Sequence, residues 1–222
     1  MGTIASLLAR TGAAVEQLNA KHHWLRYVFL FGMCFAWYGN VLRLIDGCAT
    51  AIYMYALALL YFWTIPKQER QLYNFTVPKK KMIALAFIVG IICYAASVTF
   101  NYFFNDNFIK LQDPISIAVG FPIVFVFMFI LVLSEEILFR GILWGEGRRI
   151  NLSNFSILCI QAILFFAAHS FWVNYSPLWI QVLVSGLICG IVAWKTKSVL
   201  ASAIVLACIN CTGEAFVHAL VN

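Results

Sequence analysis

Seven long apolar runs, separated by short polar breaks, divide the chain at about 25–45, 47–65, 82–104, 116–144, 154–173, 177–195 and 198–220. Each approaches or exceeds the roughly 20 residues a helix needs to cross a hydrocarbon layer. No internal repeat, low-complexity segment or long linker interrupts them. The pattern predicts an all-α fold: a polytopic membrane bundle of about seven transmembrane helices over residues 23–222. Ahead of it, residues 1–22 place Ile4, Leu7, Leu8, Val15 and Leu18 near helical spacing, as expected of an amphipathic helix lying on a membrane surface. No secretory signal peptide is visible, and Met1-Gly2 with Ser6 fits the short pattern for N-myristoylation.

The polar breaks set an orientation. The stretch "PKQERQLYNFTVPKKK" carries Lys67, Arg70, Lys79, Lys80 and Lys81, and "GEGRRI" and "WKTKS" add Arg148, Arg149, Lys195 and Lys197. On the opposite side, "NDNFIKLQDP" holds two Asp and one Lys, and "FWVNYSP" holds no charge. Seven crossings with a cytoplasmic N-terminus put every basic break in the cytoplasm. Trp24, Trp63, Trp144, Trp172 and Trp194 fall near run ends, where interfacial anchors are expected. A bacterial inner membrane or an endoplasmic-reticulum membrane fits this charge pattern.

Composition agrees with a lipid-facing chain: 63% hydrophobic, 11% charged, with a mean hydropathy of +0.89. Soluble domains carry roughly 25% charged residues. The net charge of +6 sits between apolar runs and forms no stripe, so it reads as a topology signal and implies no nucleic-acid partner. The seven cysteines are scattered through apolar segments as small hydrophobes. Only Cys208 and Cys211 are close in sequence, so neither a disulfide framework nor a zinc site is expected.

Against this background "FILVLSEEILFRGILWGEGRR" is out of place, because it sets Glu135, Glu136 and Arg140 inside an apolar run. A charge at the centre of a bilayer costs about 2.5–3.5 kcal/mol even on insertion scales, and such residues mark functional sites by default. Counted along the helix, Glu135 lies 13 residues from Arg148, roughly 20 Å. His169, in "FFAAHS", lies 15 residues from Asn154, roughly 22 Å, and Asn210 lies 13 residues from Lys197, again roughly 20 Å. Three runs thus bring a carboxylate, an imidazole and an amide to one depth. Glu136 and Arg140 are spaced i, i+4, suited to a stabilising pair. That pairing leaves Glu135 for chemistry beside His169, as the general base of a site within the membrane.

These residues also carry a family likeness. "EEILFRG" resembles the E-E-x-x-x-R first motif of the CAAX protease and bacteriocin-processing family. That family comprises glutamate-type intramembrane endopeptidases and includes prenyl-protein CAAX processing enzymes and Abi-type immunity proteins. Phe165-x-x-x-His169 resembles its second motif, F-x-x-x-H, and "GLICGIVAWKTKSVLASAIVL" resembles the helix–turn–helix leading into its third, H-x-x-x-N. The likeness covers about residues 116–210, with a catalytic core expected over about 116–222. It implies that Glu135 and His169 activate a water for attack on a peptide carbonyl. Glu136, Arg140 and Phe165 would support the site, Asn210 would help hold the oxyanion, and neither metal nor cofactor is implied. The third motif departs from the pattern: with Asn210 as its Asn, the His position is occupied by Leu206. His218-x-x-x-Asn222 supplies the right letters but stands 21 residues from Lys197, roughly 32 Å along the helix. Depth favours Asn210, with His218 and Asn222 as the alternative pair.

The expected function is hydrolysis of a peptide bond near the membrane-associated end of a lipidated, sorting-signal or leader peptide. The implied partners are a peptide or protein substrate and the lipid bilayer. Two alternatives stand beside it: a proton-coupled transporter, and a catalytically inactive immunity or scaffold protein of the same fold, which the missing motif imidazole supports.

Overall fold

A computed structural model describes residues 23–41, 47–104, 114–170 and 176–211, and every regular element among them is helical. The N-terminal segment 1–22 and the His218/Asn222 pair lie outside the described residues. In chain order the helices are α1 (His23–Val41), α2 (Gly47–Thr64), α3 (Lys80–Phe104), α4 (Pro114–Glu136), α5 (Leu143–Arg149), α6 (Asn154–Ser170), α7 (Ser176–Thr196) and α8 (Val199–Asn210). The apolar runs are helical because a backbone without water must satisfy its polar groups within the segment. Among the described residues, Lys80–Phe100 and Trp179–Thr196 are long and apolar enough to cross a membrane, and Trp24–Trp37, Ala49–Thr64, Asn154–His169 and Val199–Asn210 are shorter apolar helices.

The fourth apolar run is not one uniform helix. Between α4 and α5, Ile137–Ile142 forms a π-helical turn that contains Arg140 and follows directly on the two glutamates. A π turn holds an additional residue, which rotates the following face by about 100° relative to an uninterrupted α-helix, and such turns concentrate at functional sites.

Helix α8 is the axis of the bundle, packed by α3, α4 and α7. Residues 201–209 are all buried, and small side chains (Ala201, Ser202, Ala203, Ala207, Cys208) let its neighbours approach closely. At Gly90 of α3 a Cβ would stand 2.7 Å from Cys208 Sγ, so this crossing requires a glycine. The outside of the bundle is the reverse of a water-soluble surface: Phe31 is 72% exposed and Leu59 73%, while Glu136 and Arg140 are 0%. Trp24 and Trp63 are exposed as interfacial anchors should be. Trp144 is not an anchor: it is fully buried against Ile157 and Leu158, with its indole N–H toward Asn154 Oδ1 at 3.4 Å.

The end of the bundle that carries the basic breaks is closed by residues 65–79. Asn74 is fully buried there; its side chain donates to the Arg140 carbonyl at 2.9 Å, and its carbonyl accepts from Val199 N at 2.8 Å. Arg148 donates to the Leu72 carbonyl at 2.7 Å and to Asn74 Oδ1 at 3.2 Å. Lys197, at φ 56°, makes the turn from α7 into α8, and its carbonyl accepts from Thr76 N at 3.2 Å.

Candidate active site

The site begins at the end of α4. Glu136 and Arg140 form the ion pair that their spacing predicts, Oε1 to Nη1 at 2.7 Å, with both side chains wholly buried. Neither charge depends on the other alone. Ser202 Oγ of α8 donates to Glu136 Oε2, and Arg140 Nη2 donates to the Gly186 carbonyl of α7 at 3.1 Å. The guanidinium also lies over the Phe165 ring, 4.4 Å from its centroid, and 5.7 Å from that of Phe139. Gln161 Nε2 of α6 meets the same Gly186 carbonyl at 3.2 Å. One buried pair therefore ties α4, α6, α7 and α8 together through side-chain and carbonyl contacts, as a desolvated ion pair must be tied to persist.

Glu135 stands apart from this network. Its Oε2 is buried and makes no hydrogen bond, and its carboxylate interacts with the indole of Trp37 from α1. His169 closes the other side. Its Nδ1 lies 2.8 Å from the Phe165 carbonyl one turn earlier. A carbonyl only accepts, so Nδ1 carries a proton and donates, which leaves Nε2 as the nitrogen free of this bond. The imidazole packs against the Phe165 ring at 4.2 Å and the Trp37 ring at 5.5 Å between centroids. Phe139 completes an aromatic frame, edge-on to both Trp37 (5.5 Å) and Phe165 (5.4 Å).

The structure thus gathers Glu135, Glu136, Arg140, Phe165 and His169 into one neighbourhood. Glu135 and His169 make no hydrogen bond or ion pair with each other among the described residues; what they share is Trp37. Asn210 is the last residue of α8 and partly buried, on the stripe 202–206–210 whose first member touches Glu136. No bond joins Asn210 to Glu135 or His169 among the described residues. Leu206, four residues before Asn210, is 2% exposed in the apolar core. No group of three His, Cys, Asp or Glu side chains is placed to hold a metal ion among the described residues.

Two participating side chains, Ser202 and Trp37, were not singled out from the sequence. Ser202 carries a signal in retrospect, since it precedes Asn210 by eight residues on one helical face. Gly186 contributes only a carbonyl, which no side-chain pattern records. Trp37 lies in the first run, outside the segment that bears the motifs, and looked like any other apolar helix residue.

Residues 117–212, just under half of the chain, match the model of a protein family described as type II CAAX prenyl endopeptidase Rce1-like. No curated protein and no solved structure matches the chain.

Proposed function

From the premise that the chain carries a Rce1-like domain, of the membrane-embedded CAAX protease family, across residues 117–212, we propose that it is a glutamate-type intramembrane endopeptidase. Its substrate in this reading is a peptide or protein cut near a membrane-associated end: a lipidated tail, a sorting signal or a leader peptide. The observation that supports it most is the division of labour between adjacent carboxylates. Glu136 is engaged by Arg140 and Ser202, whereas Glu135 keeps a buried oxygen without a hydrogen bond and shares its Trp37 neighbour with the oriented imidazole of His169.

In the proposed mechanism Glu135 takes a proton from water, and His169 Nε2 accepts the second hydrogen to orient it. The water oxygen attacks the peptide carbonyl. Asn210 Nδ2 is the side-chain donor available for the oxyanion on α8, since Leu206 has no N–H to give. Glu135 then passes its proton to the leaving nitrogen as the C–N bond breaks. The basic breaks support a cytoplasmic position for their end of the bundle and the N-terminus, in a multi-pass protein of a bacterial inner membrane or the endoplasmic reticulum.

The test is cleavage by the full-length protein in liposomes of a quenched fluorogenic peptide that ends in a farnesylated cysteine followed by three residues. Glu135→Ala and His169→Ala each abolish cleavage while the protein stays extractable and monodisperse. Full activity in either variant overturns the assignment. Leu206 favours one second reading, a relative that keeps the fold without hydrolysis; it predicts an unchanged cellular phenotype in Glu135→Ala.

A further inference from the structure

Trp37 is held on three sides. It is 6% exposed, edge-on to Phe139, tilted against His169, and in contact with Glu135. Rings packed in this way fix where the indole N–H stands. That N–H is buried and faces the Glu135 carboxylate, yet it meets no acceptor at hydrogen-bonding distance and angle, and Glu135 Oε2 likewise meets no donor. A buried donor or acceptor left unpaired is destabilising. Here one of each stands side by side at Glu135, while the neighbouring Glu136 has an ion pair with Arg140 on one oxygen and accepts from Ser202 on the other. A single water molecule would satisfy both, its oxygen accepting from the indole while it donates to the carboxylate.

We propose that the Trp37 indole N–H is a catalytic donor, which holds the oxygen of the attacking water against Glu135. The inference rests on the protease reading and adds to it a residue of α1, outside the family-matched segment 117–212. As one water proton moves to Glu135, negative charge develops on the water oxygen, and a fixed N–H stabilises that charge more than it stabilises neutral water. The oxygen then bonds to the carbonyl carbon with the N–H still donating. The proton held on Glu135 goes to the departing nitrogen, the C–N bond breaks, and acid and amine leave with Glu135 ionised again. In a site with Leu206 at the motif imidazole position, this donor comes from a different helix.

The test uses the same proteoliposomes and farnesylated peptide. Trp37→Phe keeps an aromatic ring and removes the N–H; kcat is expected to fall about 100–1000-fold, with KM little changed, since the lost bond belongs to the transition state. Trp37→His returns an N–H and is expected to recover part of the rate, which a purely packing role for the ring would not allow. Where Trp37→Phe fails to fold, 3-benzothienylalanine at position 37, with sulfur in place of N–H, takes its place. Undiminished kcat in the N–H-free protein, with Glu135→Ala inactive, overturns this inference and leaves the protease reading standing. No cleavage by the wild type overturns both.

Discussion

Glu136 commits Oε1 to Arg140 at 2.7 Å and Oε2 to Ser202, in a place that water does not reach. Removing one member of a buried pair leaves the other charge without compensation, at a cost of about 3–5 kcal/mol. Glu136→Ala is therefore expected to lower the thermal midpoint in detergent sharply or to prevent folding. Ser202→Ala strips one donor from the same carboxylate and costs about 1–3 kcal/mol. Glu135→Ala removes a group with an unpaired oxygen and is expected to leave the midpoint within about 1 kcal/mol of wild type. Thermal unfolding of the three variants separates the networked carboxylate from the unpaired one; equal losses at Glu135 and Glu136 would refute the distinction. The Glu136–Arg140 pair was readable from its i, i+4 spacing alone. Ser202 was not, because its partner is fixed by how α8 crosses α4 and not by any local pattern.

At the scale of elements, the apolar runs announced the helices and their order, since a 20-residue run in lipid has few other ways to satisfy its backbone. The π turn at Ile137–Ile142 left no mark on hydropathy. It depends on tertiary fit: Arg140 must reach the Gly186 carbonyl and the Phe165 face while its own carbonyl accepts from Asn74. The loop that closes the basic end was legible only as charge, yet its apolar and amide residues do the docking. Its tightest contact is at Gly145 of α5, where a Cβ would lie 2.0 Å from Tyr73 Cδ1 and 2.2 Å from Cε1. Tyr73 has little freedom to retreat, being stacked on Phe75 and bonded to Glu146 at 2.7 Å. Gly145→Ala is expected to cost about 1–3 kcal/mol, typical of forced overpacking, and to make residues 65–79 more sensitive to protease added on that side. An unchanged digestion pattern and midpoint would mean that the loop is not clamped there.

Over the whole molecule, one carboxylate outside the apolar runs joins parts that are distant in sequence. Glu146 of α5 accepts from Tyr61 of α2, from Tyr73 of the 65–79 loop at 2.7 Å, and from Arg149 at 2.8 and 2.6 Å. Arg149 in turn donates to Tyr27 of α1. Burial alone would raise the Glu146 carboxyl, but the hydrogen bonds from Tyr61, Tyr73 and Arg149 and the charge of Arg149 together outweigh it and hold it below the usual carboxylate range. A carboxyl whose affinity for protons falls on folding stabilises the folded state above its unfolded pKa, and loses that contribution as pH drops through the folded value. The thermal midpoint is therefore expected to be level from neutrality to about pH 5 and to decline below about pH 4, the ordinary range for glutamate. Other carboxylates titrate in this window as well, so the comparison is with Glu146→Gln, which keeps the side-chain shape and has no proton to gain. In that variant the midpoint starts lower at neutral pH and its decline in acid is shallower. Parallel acid profiles for the two proteins would show that the junction of α1, α2, α5 and the loop does not rest on the charge of Glu146.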